Sequence, residues 1–227
     1  MVNYDKDYRL FARSEYGISG TKMDSFEKYM QGYIEPYILE EREMNVTQMS
    51  VFSRLFKDRI LFLGTDINSD TANILASQLM FLNSLSEAEN IKLYINSPGG
   101  SVADGLMIYD VMNFVTPKVE TYCLGTSASM AAVLLSSGTE GKRYALPHSQ
   151  IMIHQPSGGT GRVKSDELEV AWNEMKKCKD TLYSILAENT GKTVEELEEL
   201  CRLDKWYTPD EAVDAHLIDM VIKNNRK

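Results

Sequence analysis

The chain has 227 residues, 43% of them hydrophobic, with no long biased tract, so it can bury a substantial core as one domain. Its formal net charge of −9 and the lack of a Lys/Arg stripe argue against nucleic acid as the main partner, because phosphate binding needs clustered cations. No apolar run approaches the roughly 18 residues of a membrane span or has the make-up of a secretory leader, so a cytoplasmic protein without membrane contact is expected.

Residues 1–32 contain Gly17, Gly20 and Gly32 with weak periodicity and read as an N-terminal extension. Residues 33–58 read as a hairpin or arm followed by a short helix through Phe52, Leu55 and Phe56. From residue 59 to 227 a single domain is expected. RILFLG is a strand, and Ala72, Leu75, Leu79 and Leu82 then mark one apolar helix face. KLYIN is a second strand, closed by SPGGS and followed by a helix carrying Val102, Leu106, Tyr109 and Met112 at helical spacing. VETYCLG predicts a third strand and SASMAAVLLSSG a third helix. Strand and helix alternating at short intervals favour an α/β fold with a mostly parallel sheet. KRYAL and SQIMIHQP read as further strands. A long amphipathic helix beginning near Asp166 follows, with Leu168, Trp172, Met175, Cys178, Leu182 and Ile185 on its stripe and Gly191 placed to end it. It is too long for the core it can cover, so its far part is expected to pack on another subunit. Thr193 with Glu196, and Thr208 with Pro209 and Glu211, predict two capped short helices.

Chemistry concentrates in GTSASMAAVLLSSG, Gly125 to Gly138, which places hydroxyls among small apolar residues. A strand running through a tight turn into a helix presents the turn's side chain beside unpaired backbone N–H groups, where a hydroxyl can attack a carbonyl and the amides can receive the oxyanion. Ser127 or Ser129 could equally cap the helix, and no GxSxG elbow is present. INSPGGS also runs from strand to helix, and Gly99 and Gly100 expose amides there, giving a candidate oxyanion hole. Of the three histidines, His148 reads as a turn residue and His216 as part of a short helix, while His154 ends an apolar strand, where an ionisable group is costly unless paired or functional. Asp204 and Asp210 are the candidate orienting carboxylates; Asp210 is already explained by a helix first turn. Cys123, Cys178 and Cys201 lie in no CxxC or Cys/His pair, so neither a disulfide framework nor a metal site is expected.

FKDRILFLG, YINSPGGSVADGLMIYD, GTSASMAAVLLSSGTEGKRYALP, MIHQPSGG and DEAVDAHLID, in this order and spacing, resemble the Clp protease proteolytic subunit family over roughly Tyr33 to Val221. The resemblance implies a crotonase-like α/β fold and a serine endopeptidase with Ser129 as nucleophile, His154 as general base and Asp204 as its orienting carboxylate. It places the oxyanion donors on Gly100 and Met130. It also implies two stacked heptameric rings enclosing a chamber, with residues 33–58 as an axial arm and about 155–191 as a handle. An ATP-driven AAA+ unfoldase would feed polypeptide in; ATP would be used by that partner, and the chain itself would need no cofactor. Gly99 and the small-residue segment Gln155, Pro156, Ser157, Gly158 and Gly159 are expected to bind substrate main chain as an added strand.

The sequence departs from the family at four positions. Ala131 stands where Gly is usual, and Ser127 where Ala is usual. Arg202 and Leu203 replace an Asp-Arg pair that helps ring-to-ring contact, a difference that bears on tetradecamer stability and on the alignment of Asp204. The N-terminal extension exceeds the usual leader, and its removal by self-processing is an expectation. Two other readings share parts of the pattern: an acyl-CoA enzyme of the crotonase superfamily, whose oxyanion loop needs no serine nucleophile, and a non-catalytic ring subunit of a hetero-oligomeric Clp protease.

Overall fold

A computed structural model describes residues 37–42, 45–159, 161 and 164–223; the extension predicted over 1–32 lies outside them. β1 (Tyr37–Arg42) and β2 (Asn45–Ser50) form an antiparallel hairpin that leads directly into α1 (Val51–Lys57). Ser50 starts this helix by accepting from the Ser53 N–H at 3.1 Å. A hairpin followed by a short helix is the secondary structure the sequence predicts for the described part of this stretch.

The remaining strands make one sheet of seven. β3 (Ile60–Leu63), β4 (Ile91–Ser97) and β5 (Val119–Ala128) run parallel in that order. β5 is long enough to hold two more parallel neighbours on its other edge, one after the other. Thr121–Cys123 pair with β6 (Arg143–Ala145), and Thr126–Ala128 pair with β7 (Gln150–Ile153). The sheet therefore forks. One arm ends in β9 (Met220–Val221) on β6, and the other in β8 (Lys205–Tyr207), antiparallel to β7. Phe62, Tyr94, Tyr122 and Tyr144 lie in one register row, with ring centroids 5.4, 4.9 and 4.8 Å apart, and tie four strands together on one face.

Helices follow the strands as the alternating pattern predicts. In α2 (Ser69–Leu85), Ala72, Leu75, Leu79 and Leu82 are all buried, and Asn68 and Thr71 form its capping box. α3 (Val102–Phe114) departs from its predicted face. Gly105, Ile108 and Met112 are the buried residues, whereas Val102, Leu106 and Tyr109 are only partly covered. The cause is Gly105: a Cβ there would lie 2.2 Å from Cγ of Met130, so the small residue faces the next helix and turns the expected stripe aside.

α4 (Met130–Ser136) begins three residues later than predicted, because Ser127 and Ala128 are claimed by the ladder to Ile151 and Met152. All seven of its residues are buried. It is the central helix of the core.

α5 (Ser165–Thr190) ends at Gly191, whose φ of 70° is the left-handed conformation that a C-cap glycine supplies without strain. Its predicted stripe divides. Leu182 and Ile185 are buried, while Leu168 and Trp172 are 55% and 65% exposed. α6 (Val194–Leu200) and α7 (Pro209–Asp214) carry both predicted capping boxes.

Candidate active site

Ser129 is the one residue between β5 and α4, with φ 55° and ψ −126°. Its N–H donates to the Met152 carbonyl at 2.9 Å, continuing the β5–β7 ladder, and its carbonyl accepts from Ala132 at 3.0 Å to open the helix. Ladder and helix between them fix the backbone, which leaves the side chain at the sheet's C-terminal edge. Its hydroxyl does not cap the helix. Oγ instead lies 2.8 Å from Nε2 of His154. Ser127, the other serine of the turn, donates to the Ala131 carbonyl at 2.9 Å and is fully buried. Its hydroxyl serves the backbone.

Strand register brings the other two groups in. β7 and β8 pair Ile151 with Tyr207, Met152 with Trp206 and Ile153 with Lys205. One further step opposes His154 to Asp204, and Nδ1 of His154 lies 3.0 Å from Oδ1 of Asp204. A carboxylate accepts only, so Nδ1 carries the proton and Nε2 is left with a lone pair toward the serine hydroxyl. The imidazole is 22% exposed and the Asp204 carboxylate 62% exposed in the protomer. His148 and His216 are both exposed, and Asp210 sits in the first turn of α7 as the dipole favours.

The glycine loop faces this group. Gly99 and Gly100 have φ of 92° and 150°, and neither position admits a Cβ. At Gly99 it would lie 2.7 Å from Cβ of Ser129, and at Gly100 it would lie 2.2 Å from the Ile67 carbonyl. Ile67 donates to the Gly99 carbonyl at 2.8 Å and accepts from Ser101 at 2.8 Å, gripping the loop on both sides of Gly100. By the alternation of extended backbone, the Gly100 amide is turned away from Ile67. Met130 opens α4, where an N–H has no acceptor within its own helix. Gly100, Met130, Ser129 and His154 all line one cleft of about 240 Å³.

Val102, Val133, Leu182 and Leu186 give that cleft an apolar wall, the last two contributed by α5. The sequence reading missed this wall, because the α5 stripe alone does not say which strand turn it covers. Pro156 and Ser157 line the cleft as well, and residues 155–159 run without helix or strand. Gly158 and Gly159 are exposed. Gln155 differs from its neighbours: its side chain donates to the Arg202 carbonyl at 3.1 Å and its N–H to the Cys201 carbonyl at 2.8 Å.

Burial pushes the thiols of Cys123 and Cys201 up to about 11, so both stay protonated at neutral pH and neither is an activated nucleophile. Among the described residues no group of three or more His, Cys, Asp or Glu side chains is gathered as metal binding would need, and no helix is long and apolar enough to cross a membrane.

Comparison with known proteins identifies the family. The ATP-dependent Clp protease proteolytic subunit of Porphyromonas gingivalis is 46% identical over 221 residues, covering 97% of this chain and 99% of the relative. The subunit of that name from Bacteroides thetaiotaomicron is 48% identical over 95% of this chain and 98% of its own length, and one from Bacteroides fragilis is 50% identical over 88% and 96%. The sequence profile of the Clp protease family spans residues 41–225, which takes in the turn at Ser129, the glycine loop and the β7–β8 pair alike; the chain belongs to the Clp protease family.

Proposed function

We propose that this chain is the proteolytic subunit of an ATP-dependent Clp protease, a serine endopeptidase that cuts unfolded polypeptide with Ser129, His154 and Asp204. The carrying observation is the unbroken chain of hydrogen bonds from Oγ through both imidazole nitrogens to the carboxylate, at 2.8 and 3.0 Å. His154 takes the Ser129 proton as Oγ attacks the scissile carbonyl, and Asp204 holds the tautomer and stabilises the imidazolium. The amides of Gly100 and Met130 receive the oxyanion; losing one such donor costs about 3 kcal/mol of barrier. His154 then gives the proton to the leaving amine, and water hydrolyses the acyl-enzyme by the same route in reverse. This chemistry draws on no metal or organic cofactor.

Substrate main chain adds as a strand along Gly99 and the segment 156–159, and the apolar wall of the cleft receives the side chain on the acyl side of the scissile bond. Main-chain recognition gives low sequence specificity, with a preference for an apolar residue at that one subsite. The partners are further copies of this chain, as stacked heptameric rings, and an AAA+ unfoldase that spends ATP to deliver polypeptide. An acyl-CoA enzyme on the same architecture would have no use for a hydroxyl, imidazole and carboxylate in line.

The test is cleavage of a short fluorogenic peptide by the purified protein beside Ser129→Ala, with particle size measured by light scattering. Activity that falls by at least 10³-fold in Ser129→Ala is expected. Assembled particles without Ser129-dependent cleavage would overturn the reading in favour of a non-catalytic ring subunit.

A further inference from the structure

Gln155 directly follows the imidazole in sequence, yet both its donors reach across to the segment that bears the carboxylate. Its N–H donates to the carbonyl of Cys201 at 2.8 Å and its side-chain amide to the carbonyl of Arg202 at 3.1 Å. That segment needs holding. α6 ends at Leu200, and the β7–β8 ladder begins only at Lys205, so residues 201–204 belong to neither element. The side chains of Arg202 and Leu203 add little: Arg202 is 69% exposed beside an equally exposed Glu199 at 3.5 Å, and Leu203 is 75% exposed. Among the described residues, the Asp204 carboxylate hydrogen-bonds to His154 alone.

Resting on the proteolytic reading above, we infer that Gln155 is a positioning residue, whose side-chain amide fixes the turn at Arg202 and thereby sets Asp204 against His154. The role is distinct from binding substrate. A substrate strand draws on free main-chain groups, whereas the main-chain N–H and a side-chain N–H of Gln155 are already committed within the chain. Gln155 acts through Asp204, so its effect must vanish when Asp204 is absent.

That dependence supplies the experiment. Gln155→Met keeps length and removes the donor; Gln155→Lys restores a donor at similar reach. Each is measured for kcat and KM on a short peptide, and Gln155→Met is measured again in the Asp204→Ala background. The expected result is a fall in kcat of about tenfold at unchanged KM for Gln155→Met, the size of one lost hydrogen bond, with partial recovery in Gln155→Lys. In the Asp204→Ala background Gln155→Met costs nothing further. A rise in KM at constant kcat would make Gln155 a substrate contact, and an equal penalty in both backgrounds would make it merely structural; either overturns the inference. An active wild type with unchanged kcat in Gln155→Met overturns this inference alone. A wild type with no Ser129-dependent cleavage overturns it together with the proteolytic reading.

Discussion

Ser129 holds a conformation that only glycine adopts freely, at φ 55° and ψ −126°, and the surrounding ladder and helix impose it. Strain of this kind costs on the order of 1–3 kcal/mol and is maintained because it aims Oγ at the imidazole instead of at the helix amides. Ser129→Gly should therefore be more stable than Ser129→Ala by about 1 kcal/mol, the strain relieved less the extra entropy of glycine in the unfolded chain. Neither variant carries the hydroxyl, so the comparison isolates backbone strain; equal melting temperatures would show that the turn is relaxed. The residues of the site differ in how far sequence reveals them. His154 is legible because an imidazole at the end of an apolar strand is costly unless paired, and Asp204 because no helix end explains it, whereas Ser129 is told from Ser127 only by the family resemblance, since either hydroxyl could have capped the helix. The tie from Gln155 is not legible. Its acceptors are two backbone carbonyls, and a carbonyl has no residue identity that a sequence can display.

Arg143, on β6, does at the level of elements what Gln155 does for one turn. It is 5% exposed, and its guanidinium donates to the carbonyls of Ser136 and Asn189 at 3.1 and 2.8 Å and to both carboxylate oxygens of Asp219 at 3.0 and 2.6 Å. One side chain thus joins the ends of α4 and α5 to the approach of β9. Burial alone would raise the Asp219 pKa, but the hydrogen bonds and charge of Arg143 outweigh it and hold the carboxyl below its ordinary value of 3.8. The stabilisation is complete above that ordinary value and is lost as pH falls through the lower folded one. Asp219→Asn should cost about 3 kcal/mol at neutral pH, because it leaves a buried cation with a weakened partner. Denaturant midpoints of wild type and variant should begin to converge only as pH falls below 3.8 and meet once the folded carboxyl is itself protonated, and a gap that persists after that protonation would assign the loss to packing. Elements with local causes were the legible ones: the capping boxes of α6 and α7 and the glycine end of α5 need only neighbours in sequence. The buried face of α3 and the true length of β5 were not, since contacts distant in sequence decide them, Met130 against Gly105 in one case and the ladder to β7 in the other.

At the scale of the whole molecule, α5 is about 39 Å long at 1.5 Å per residue, more than the protomer can cover. Its second half packs through Leu182, Tyr183, Ile185 and Leu186. Its first half leaves Leu168, Val170 and Trp172 at 55%, 64% and 65% exposed, and Trp206 is 49% exposed on β8. An indole two-thirds in water has no use in an isolated protomer, and a half-helix without tertiary contacts is marginal by itself. Both are resolved if another copy of the chain covers that half, which is what a self-assembling family requires. Leu168→Glu with Trp172→Glu should then reduce the particle to a smaller assembly by light scattering. The helical signal of the protomer should be kept, because substitutions at exposed sites change folding stability by only about 0.5 kcal/mol. Lys176→Glu, on the same helix and also exposed, controls for added negative charge and should leave the size unchanged. If the double variant assembles like wild type, the exposed half of α5 is not the surface that joins the copies.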